Sequence, residues 1–370
     1  MAVTIATFDD WVAAFRAWQD DIGLDRRHIA GFTFETKYGN LECEEIAFGE
    51  YAGTRRWESV RDIPDQRIRD ALLNYIVYQG DTEFASVEQQ RHLYDTAPSE
   101  YDLCCLARIM AEEMRHGYQM CHVLVTHFGR AGRLEAEKLL QRRAFRKQRL
   151  LGSFNEEIQT WLDFFIFTQF VDRDGKYQLR MLSHSAFAPL ARSMGPMLQE
   201  ESFHLGVGHD GLRRVLQAGK IPMPLLQKFF NKWVPTAYDL FGTDHSGSAH
   251  WGYVWGLKGR YDEDRNPHPA DREHLNETAR SLYIAEVTAL TERLNRVLPA
   301  DQPRLRLPDT TFHRRIGAYA GQPYSVTGDL LSPEAYAVHL TEVLPQPADI
   351  AMVEELTRTA DWLAPKKTLA

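Results

Sequence analysis

Two short patterns constrain this chain more than any other feature. Glu113-x-x-His116 and Glu201-x-x-His204 each interrupt a run of apolar residues spaced for one helix face. Residues i, i+3, i+4 and i+7 share a face of a helix. One such face reads Leu103, Leu106, Met110, Glu113, His116, Met120, Val123, and a second reads Leu190, Met194, Met197, Glu201, His204, Gly208. Two other stretches each aim an acid inward: Ile68, Leu72, Ile76, Gln79, Glu83 in one, and Trp161, Phe165, Thr168, Asp172 in the other. Thirty residues separate Glu83 from Glu113 and 29 separate Asp172 from Glu201, so an acid-bearing helix followed by a Glu-x-x-His helix occurs twice.

A carboxylate on a buried face is costly unless it is paired or bound to metal. A histidine one turn after a glutamate can reach the same ion, and mixed oxygen and nitrogen ligation without thiolate suits iron or manganese with positions left open for O2. Four inward carboxylates and two histidines on four helices form the ligand set of ferritin-like di-metal proteins. The expected fold is therefore all-α: a ferritin-like four-helix bundle with an appended, partly helical C-terminal region. The expected ligands are Glu83, Glu113, His116, Asp172, Glu201 and His204, with Asp174 as the competing choice for Asp172. Glu112 and Glu200 read as solvated or as standing behind the ligands. His122, His127, His184 and His209 read as ordinary surface or core histidines. Arg173 and Asp174 are expected to orient Asp172 or to end its helix. Phe164, Phe165, Phe167 and Phe170 read as core packing first and pocket wall second, and Cys104, Cys105 and Cys121 as small buried residues. The basic run Arg142, Arg143, Arg146, Lys147 and Arg149 reads as a solvated loop ahead of a grip on phosphates or on an acidic partner.

Elsewhere the pattern marks boundaries. A helix is expected near Phe8–Trp18, with an extended stretch near Phe32–Tyr38. Pro64 suits a first helical turn, and its helix runs to about His92. Ser99 with Asp102 resembles a capping box and opens a helix ending near Phe128. The third helix is expected from about Asn155, and the fourth from between Ser185 and Pro196 to Leu216. Periodicity weakens after Lys220. Loops are read at Gly242–Gly247 and Asp262–Pro269, and helices at about Arg272–Val297, 333–345 and 350–362. This divides the chain into an N-terminal segment (1–63), the bundle (64–216) and a C-terminal extension (217–370) packed as one unit with it. With 44% hydrophobic residues over 370 positions the chain can bury a large core. A net charge of −8 argues against nucleic acid or an anionic membrane as main partner. No window approaches the roughly 20 apolar residues of a membrane span, and the first residues lack the pattern of a secretion signal. Four cysteines without a CxxC pair suggest reduced thiols in a cytoplasmic protein.

The stretch from Gln79 to His92 resembles the first iron-ligand helix of the benzoyl-CoA 2,3-epoxidase oxygenase components, relatives of the phenylacetyl-CoA epoxidase catalytic subunit. The likeness continues through Thr96 to Asp102, Glu112 to His116, Leu140 to Arg143, Phe170 to Leu179, Glu200 to His204, Gly256 to Arg260 and Arg304 to Pro308. It implies two iron ions held by the six residues named above, and it selects Asp172 over Asp174. It implies Glu113 and Gln79 as catalytic residues, Gln79 facing the substrate or supporting the ligands from one turn before Glu83. It also implies epoxidation of an aromatic acyl-CoA by O2, with NADPH-derived electrons from a separate flavin and iron–sulfur reductase; this chain carries no motif for either group. A homodimer is an allowed assembly. The pocket is expected to be largely apolar, lined by Phe and Met. Phe84, Met114, Gly117 and Phe203 depart from the family pattern (Pro, Gly, a larger residue and His) beside the ligands, and so bear on the acyl group and its carrier. A related hydroxylase or N-oxygenase is the alternative. Iron storage would need a bare, cage-forming bundle, and a radical-generating protein would need a tyrosine such as Tyr75 or Tyr118 at the metals.

Overall fold

The computed structural model describes residues 5–265, 275–359 and 361–366. Its helices are α1 (Phe8–Asp21), α2 (Gln66–Gln90), α3 (Glu100–His127), α4 (Gly129–Gln141), α5 (Trp161–Phe170), α6 (Asp172–Ser183), α7 (Ala188–Ala218), α8 (Met223–Leu240), α9 (Gly247–Val254), α10 (Asn276–Asn295), α11 (Pro333–Val343) and α12 (Pro347–Leu356). Among the described residues no strand forms beyond isolated bridges such as Trp57 to Phe187. The fold is all-α and ferritin-like. Helix α2 packs along α3, α5 and α6 pack along α7, and α3 against α7 joins the two pairs.

Local chemistry explains the helix ends. Asp65 caps α2 by accepting the Arg67 N–H at 2.8 Å. Ser99 caps α3 by accepting the Asp102 N–H at 3.2 Å, but the reciprocal half of the capping box is absent. The Asp102 carboxylate instead receives Arg214 of α7 at 2.7 Å and the Ser99 hydroxyl at 2.6 Å. Inside α7, Pro196 has no N–H to give the Arg192 carbonyl, and the Gly39 N–H donates to that carbonyl at 2.8 Å. The stretch near Phe32–Tyr38 is thereby fastened across α3 and α7, with the Lys37 N–H donating to Gln119 at 2.8 Å. No regular strand forms there.

Several elements differ from expectation. The third bundle helix does not start at Asn155, which ends a short 3₁₀ turn; Thr160 caps α5 and the helix opens at Trp161. It is broken at Val171, where the Asp174 N–H reaches back only three residues, to Val171 O, at 3.0 Å. Arg173 and Asp174 therefore do not end a helix but lie in the first turn of α6, and their side chains bond Gln169, Glu286 and Gln178 rather than Asp172. Helix α8 fills a stretch that looked aperiodic. Its period is present, with Gln227, Lys228, Asn231 and Lys232 on one edge and Phe229, Phe230, Trp233 and Val234 in the core, but Pro222, Pro224 and Pro235 break up the reading of a helix. The loop at Asp262–Pro269 lies partly outside the described residues.

The basic run is a solvated loop only at Arg146 and Lys147, which are exposed; Arg142, Arg143 and Arg149 turn inward. From Gly80 onward α2 is buried nearly all round, which leaves Asp81 and Glu88 facing α4 and the segment after it. Arg149, itself buried, pairs with Asp81 at 3.2 Å and with Glu88 at 2.8 Å, and Arg142 and Arg143 lean on the same acids. Cys104 is exposed, while Cys105 and Cys121 are buried, and all four cysteines are free.

Candidate metal centre

The bundle brings the six expected residues to one place. Glu83 comes from α2, Glu113 and His116 from α3, Asp172 from the first position of α6, and Glu201 and His204 from α7. Two sets form: Glu113, Asp172, Glu201 and His204, and Glu83, His116 and Glu201, with ligand-type atoms within 4.8 Å of one another in each set. Glu201 belongs to both. His116 Nδ1 lies 3.3 Å from Glu83 and 3.5 Å from Glu201. His204 Nδ1 lies 3.5 Å from Glu113, 3.6 Å from Asp172 and 3.5 Å from Glu201. The two imidazole rings are 6.1 Å apart.

A buried polar atom ordinarily finds a partner. Here five inward atoms have none: Glu113 Oε1, His116 Nδ1, Asp172 Oδ2, Glu201 Oε2 and His204 Nδ1. All five face the shared space of the two sets, as ligands to cations would. Burial, with Glu83 and Asp172 close by, pushes Glu113 well above the usual carboxylate range; burial and Asp172 push Glu201 up to about 7. Burial alone would lower both histidines, but Glu200 and Glu83 raise His116, and Glu201, Asp172 and Glu112 raise His204. Burial would likewise raise Glu83, yet its contact with His116 holds it below its ordinary value.

The outer nitrogens are held in a crossed arrangement. Glu200 of α7 takes His116 Nε2 at 2.9 Å, and Glu112 of α3 takes His204 Nε2 at 3.0 Å. Each Glu-x-x-His helix thus supplies the acid that orients the other's imidazole. Arg115 braces Glu200 at 2.8 Å and Arg108 braces Glu112 at 2.8 Å. Burial would raise Glu200, but His116 and Arg115 hold it at about 2, so it is anionic at neutral pH. Gln79 donates to Glu83 Oε1 one turn along α2.

A cavity of about 330 Å³ opens onto Glu83, Glu113, Asp172 and Glu201 and runs out to the half-exposed Tyr78. Its apolar wall includes Leu151, Phe154, Val171, Leu182, Leu240 and Phe241. Phe154 and Phe241 meet the expected Phe lining, but no methionine lines it, which corrects the expected Met; none of the α5 phenylalanines reaches it either, because α5 is buried on every side and its rings are core. The four departing residues also lie off the cavity. Phe84 packs against Trp11, Phe15 and Trp18 of α1. A Cβ at Gly117 would come within 2.6 Å of the Phe84 ring, so the large residue and the small one are a compensating pair. Met114 receives Gln19 from α1, and Phe203 lies under the Arg108 guanidinium at 3.8 Å.

Of the other histidines, His122 meets Tyr38 and Phe8, and His127 meets Phe187, away from the cluster. Tyr118 packs among Phe8, Trp11 and Phe15, and the Tyr75 hydroxyl donates to Ser248 O at 2.8 Å in the cavity wall. Gln178 also lines the cavity, carried there by α6, whereas helix periodicity does not pick out Lys258 and Asn276, because a loop and the first residue of α10 bring them there.

The chain is thus of the all-α ferritin-like class, with a buried carboxylate and histidine cluster that could hold metal at the head of a small-molecule cavity. Comparison with known proteins gives the family. The family described as Phenylacetic acid catabolic protein matches residues 58–300, and the chain belongs to it. The Benzoyl-CoA oxygenase component B of Aromatoleum evansii is 38% identical over 435 residues, covering 96% of this chain and 91% of its own length. A 1,2-phenylacetyl-CoA epoxidase subunit of Escherichia coli (strain K12) is 21% identical over 259 residues, covering 70% of this chain and 77% of its own length.

Proposed function

We propose that this chain is the oxygenase component of a system that uses O2 to epoxidise the aromatic ring of an acyl-CoA thioester such as benzoyl-CoA. The observation that carries the reading is the convergence of unpartnered Glu, Asp and His atoms on the floor of a small-molecule cavity. Likeness to a benzoyl-CoA oxygenase component and to a phenylacetyl-CoA epoxidase subunit supports the substrate class. The designation of the first as component B supports a system of more than one component; by the sequence resemblance, the partner would be an NADPH-dependent flavin and iron–sulfur reductase that delivers the electrons.

Glu83, Glu113, His116, Asp172, Glu201 and His204 would hold two iron ions. Four carboxylates balance two divalent cations while the histidines bind as neutral imidazoles. When bound, the iron pair supplies the redox chemistry that activates O2. In the net reaction the ring double bond gains one oxygen atom, and the other leaves as water with two electrons and two protons from outside. The protein's part is positioning. Glu200 and Glu112 fix the tautomers of His116 and His204 so that Nδ1 points inward. Gln79 steadies Glu83 from the cavity side. Leu151, Phe154 and Phe241 exclude water from the ring.

Single turnover tests the reading. The protein is loaded anaerobically with Fe(II), mixed with benzoyl-CoA, exposed to O2, and the acyl-CoA is weighed by mass spectrometry. A product heavier by one oxygen atom, or its hydrate, is expected. Iron uptake and O2 consumption with benzoyl-CoA unchanged would move the reaction to another aromatic acyl group or to a hydroxylation or N-oxygenation. Failure to bind two irons would overturn it.

A further inference from the structure

The cavity has a second charged end. Lys258 lines it together with Asp174 and Gln178, and the lysine is only 9% exposed. Its Nζ donates to two amide oxygens, Gln178 Oε1 at 2.7 Å and Asn276 Oδ1 at 3.2 Å. An ammonium has three donors and no acceptor. Among the described residues no carboxylate lies within ion-pair distance of it. The two nearby acids are engaged elsewhere. Asp174 accepts from Gln178 Nε2 at 3.1 Å, and Asp244 accepts the Asn276 and Glu277 N–H groups at 2.6 and 3.1 Å. A buried cation with only neutral partners is costly. The segment nonetheless holds it there from two sides: the Gly259 N–H donates to Met181 O at 3.0 Å, and the Lys258 N–H to Gly252 O at 3.1 Å.

Its placement relative to the cluster is set by α6. Asp172, Gly175, Gln178 and Leu182 line the cavity along one face of that helix. Six residues from Asp172 to Gln178 rise about 9 Å, room for one aromatic ring and the carbonyl attached to it. We propose that Lys258 is a positioning residue that donates a hydrogen bond to the carbonyl oxygen of the acyl thioester, so that the ring lies over the carboxylate cluster. This rests on the proposed substrate class and adds the contact that makes the site prefer an acyl thioester to an alkyl thioether. Burial pushes the Lys258 ammonium down to about 8, which leaves it mostly charged at neutral pH. Tying α6 to α10 would need only the amide contacts; it would not need a cation facing the cavity.

The test is calorimetric titration of the Fe(II)-loaded protein, without O2, against benzoyl-CoA and against S-benzyl-CoA, in which a methylene replaces the carbonyl. Wild type is expected to bind the thioester about 10- to 100-fold more tightly than the thioether, the range for a hydrogen bond to a charged donor. Lys258→Met and Lys258→Gln are expected to bring that ratio to about 1–3, mostly by weakening the thioester. An unchanged ratio in a folded variant overturns the assignment. So does the absence of a preference in wild type, which needs no variant. Binding of neither compound by wild type overturns the proposed substrate class and this assignment with it.

Discussion

Glu112 and Glu200 show how much one residue's position decides. Neither lies on an inward stripe, yet each is buried enough to hold the outer nitrogen of a histidine on the opposite helix. Acids that orient ligating histidines change metal affinity by about 10- to 100-fold when removed. Glu112→Ala and Glu200→Ala are each expected to weaken Fe(II) binding by that factor in equilibrium dialysis, with the helical circular dichroism unchanged. Another single-residue effect lies far from the cluster. Burial, reinforced by Arg180, pushes His184 down to about 4, and its Nε2 has no partner. The unfolded histidine takes up its proton near 6.5, so the stability tied to neutral His184 is complete above that pH and is lost as pH falls toward 4. Over that window His184→Gln is expected to flatten the fall in unfolding free energy by up to about 3 kcal/mol. Parallel slopes for wild type and variant in urea melts at stepped pH would contradict this.

At the scale of elements, the site depends on close approaches that residue types alone do not announce. Helix α3 nears α2 at Gly117, and the Phe84 ring takes the space a side chain would fill. Gly117→Ala is expected to cost about 1–3 kcal/mol by overpacking, with Phe84→Leu in the same chain recovering part of it. The two changes should be coupled rather than additive in chemical denaturation. The break at Val171 matters in the same way. It starts α6 at Asp172, so this proposed ligand stands at a helix N-terminus, where the orphan N–H groups favour negative charge.

The whole molecule extends well past the bundle. Helix α10 reaches α6 through Glu286, which takes Arg173 at 2.9 Å, and its Tyr283 hydroxyl donates to Phe170 O at 2.7 Å. The C-terminal segment returns to the bundle: Trp362 is buried beside Phe165, and Arg214 of α7 donates to Ala364 O at 2.7 Å. The 1–63, 64–216 and 217–370 segments are therefore expected to unfold together. Trp362→Ala is expected to lower stability by about 3–5 kcal/mol. Tryptophan fluorescence and far-ultraviolet circular dichroism should report one coincident transition; separate transitions would divide the chain into independent units. Among the described residues no helix is long and apolar enough to cross a membrane.

The sequence by itself determined the helical class and which six side chains meet. Both follow from a local rule: the period of a helix places residues three and four apart on one face, and a polar residue on a buried face needs a partner. It also made Asp172 a candidate, although the break that sets this residue at the head of α6 was hidden, because α5 is buried on every face and no exposed stripe could mark its end. Only the tertiary structure decided the rest. Arg149 turned inward because α4 and the segment after it cover Asp81 and Glu88. The crossed support of the histidines depends on how α3 and α7 pack. The cavity takes Lys258 and Asn276 from parts of the chain distant in sequence, and no local pattern encodes which distant loops will share a wall.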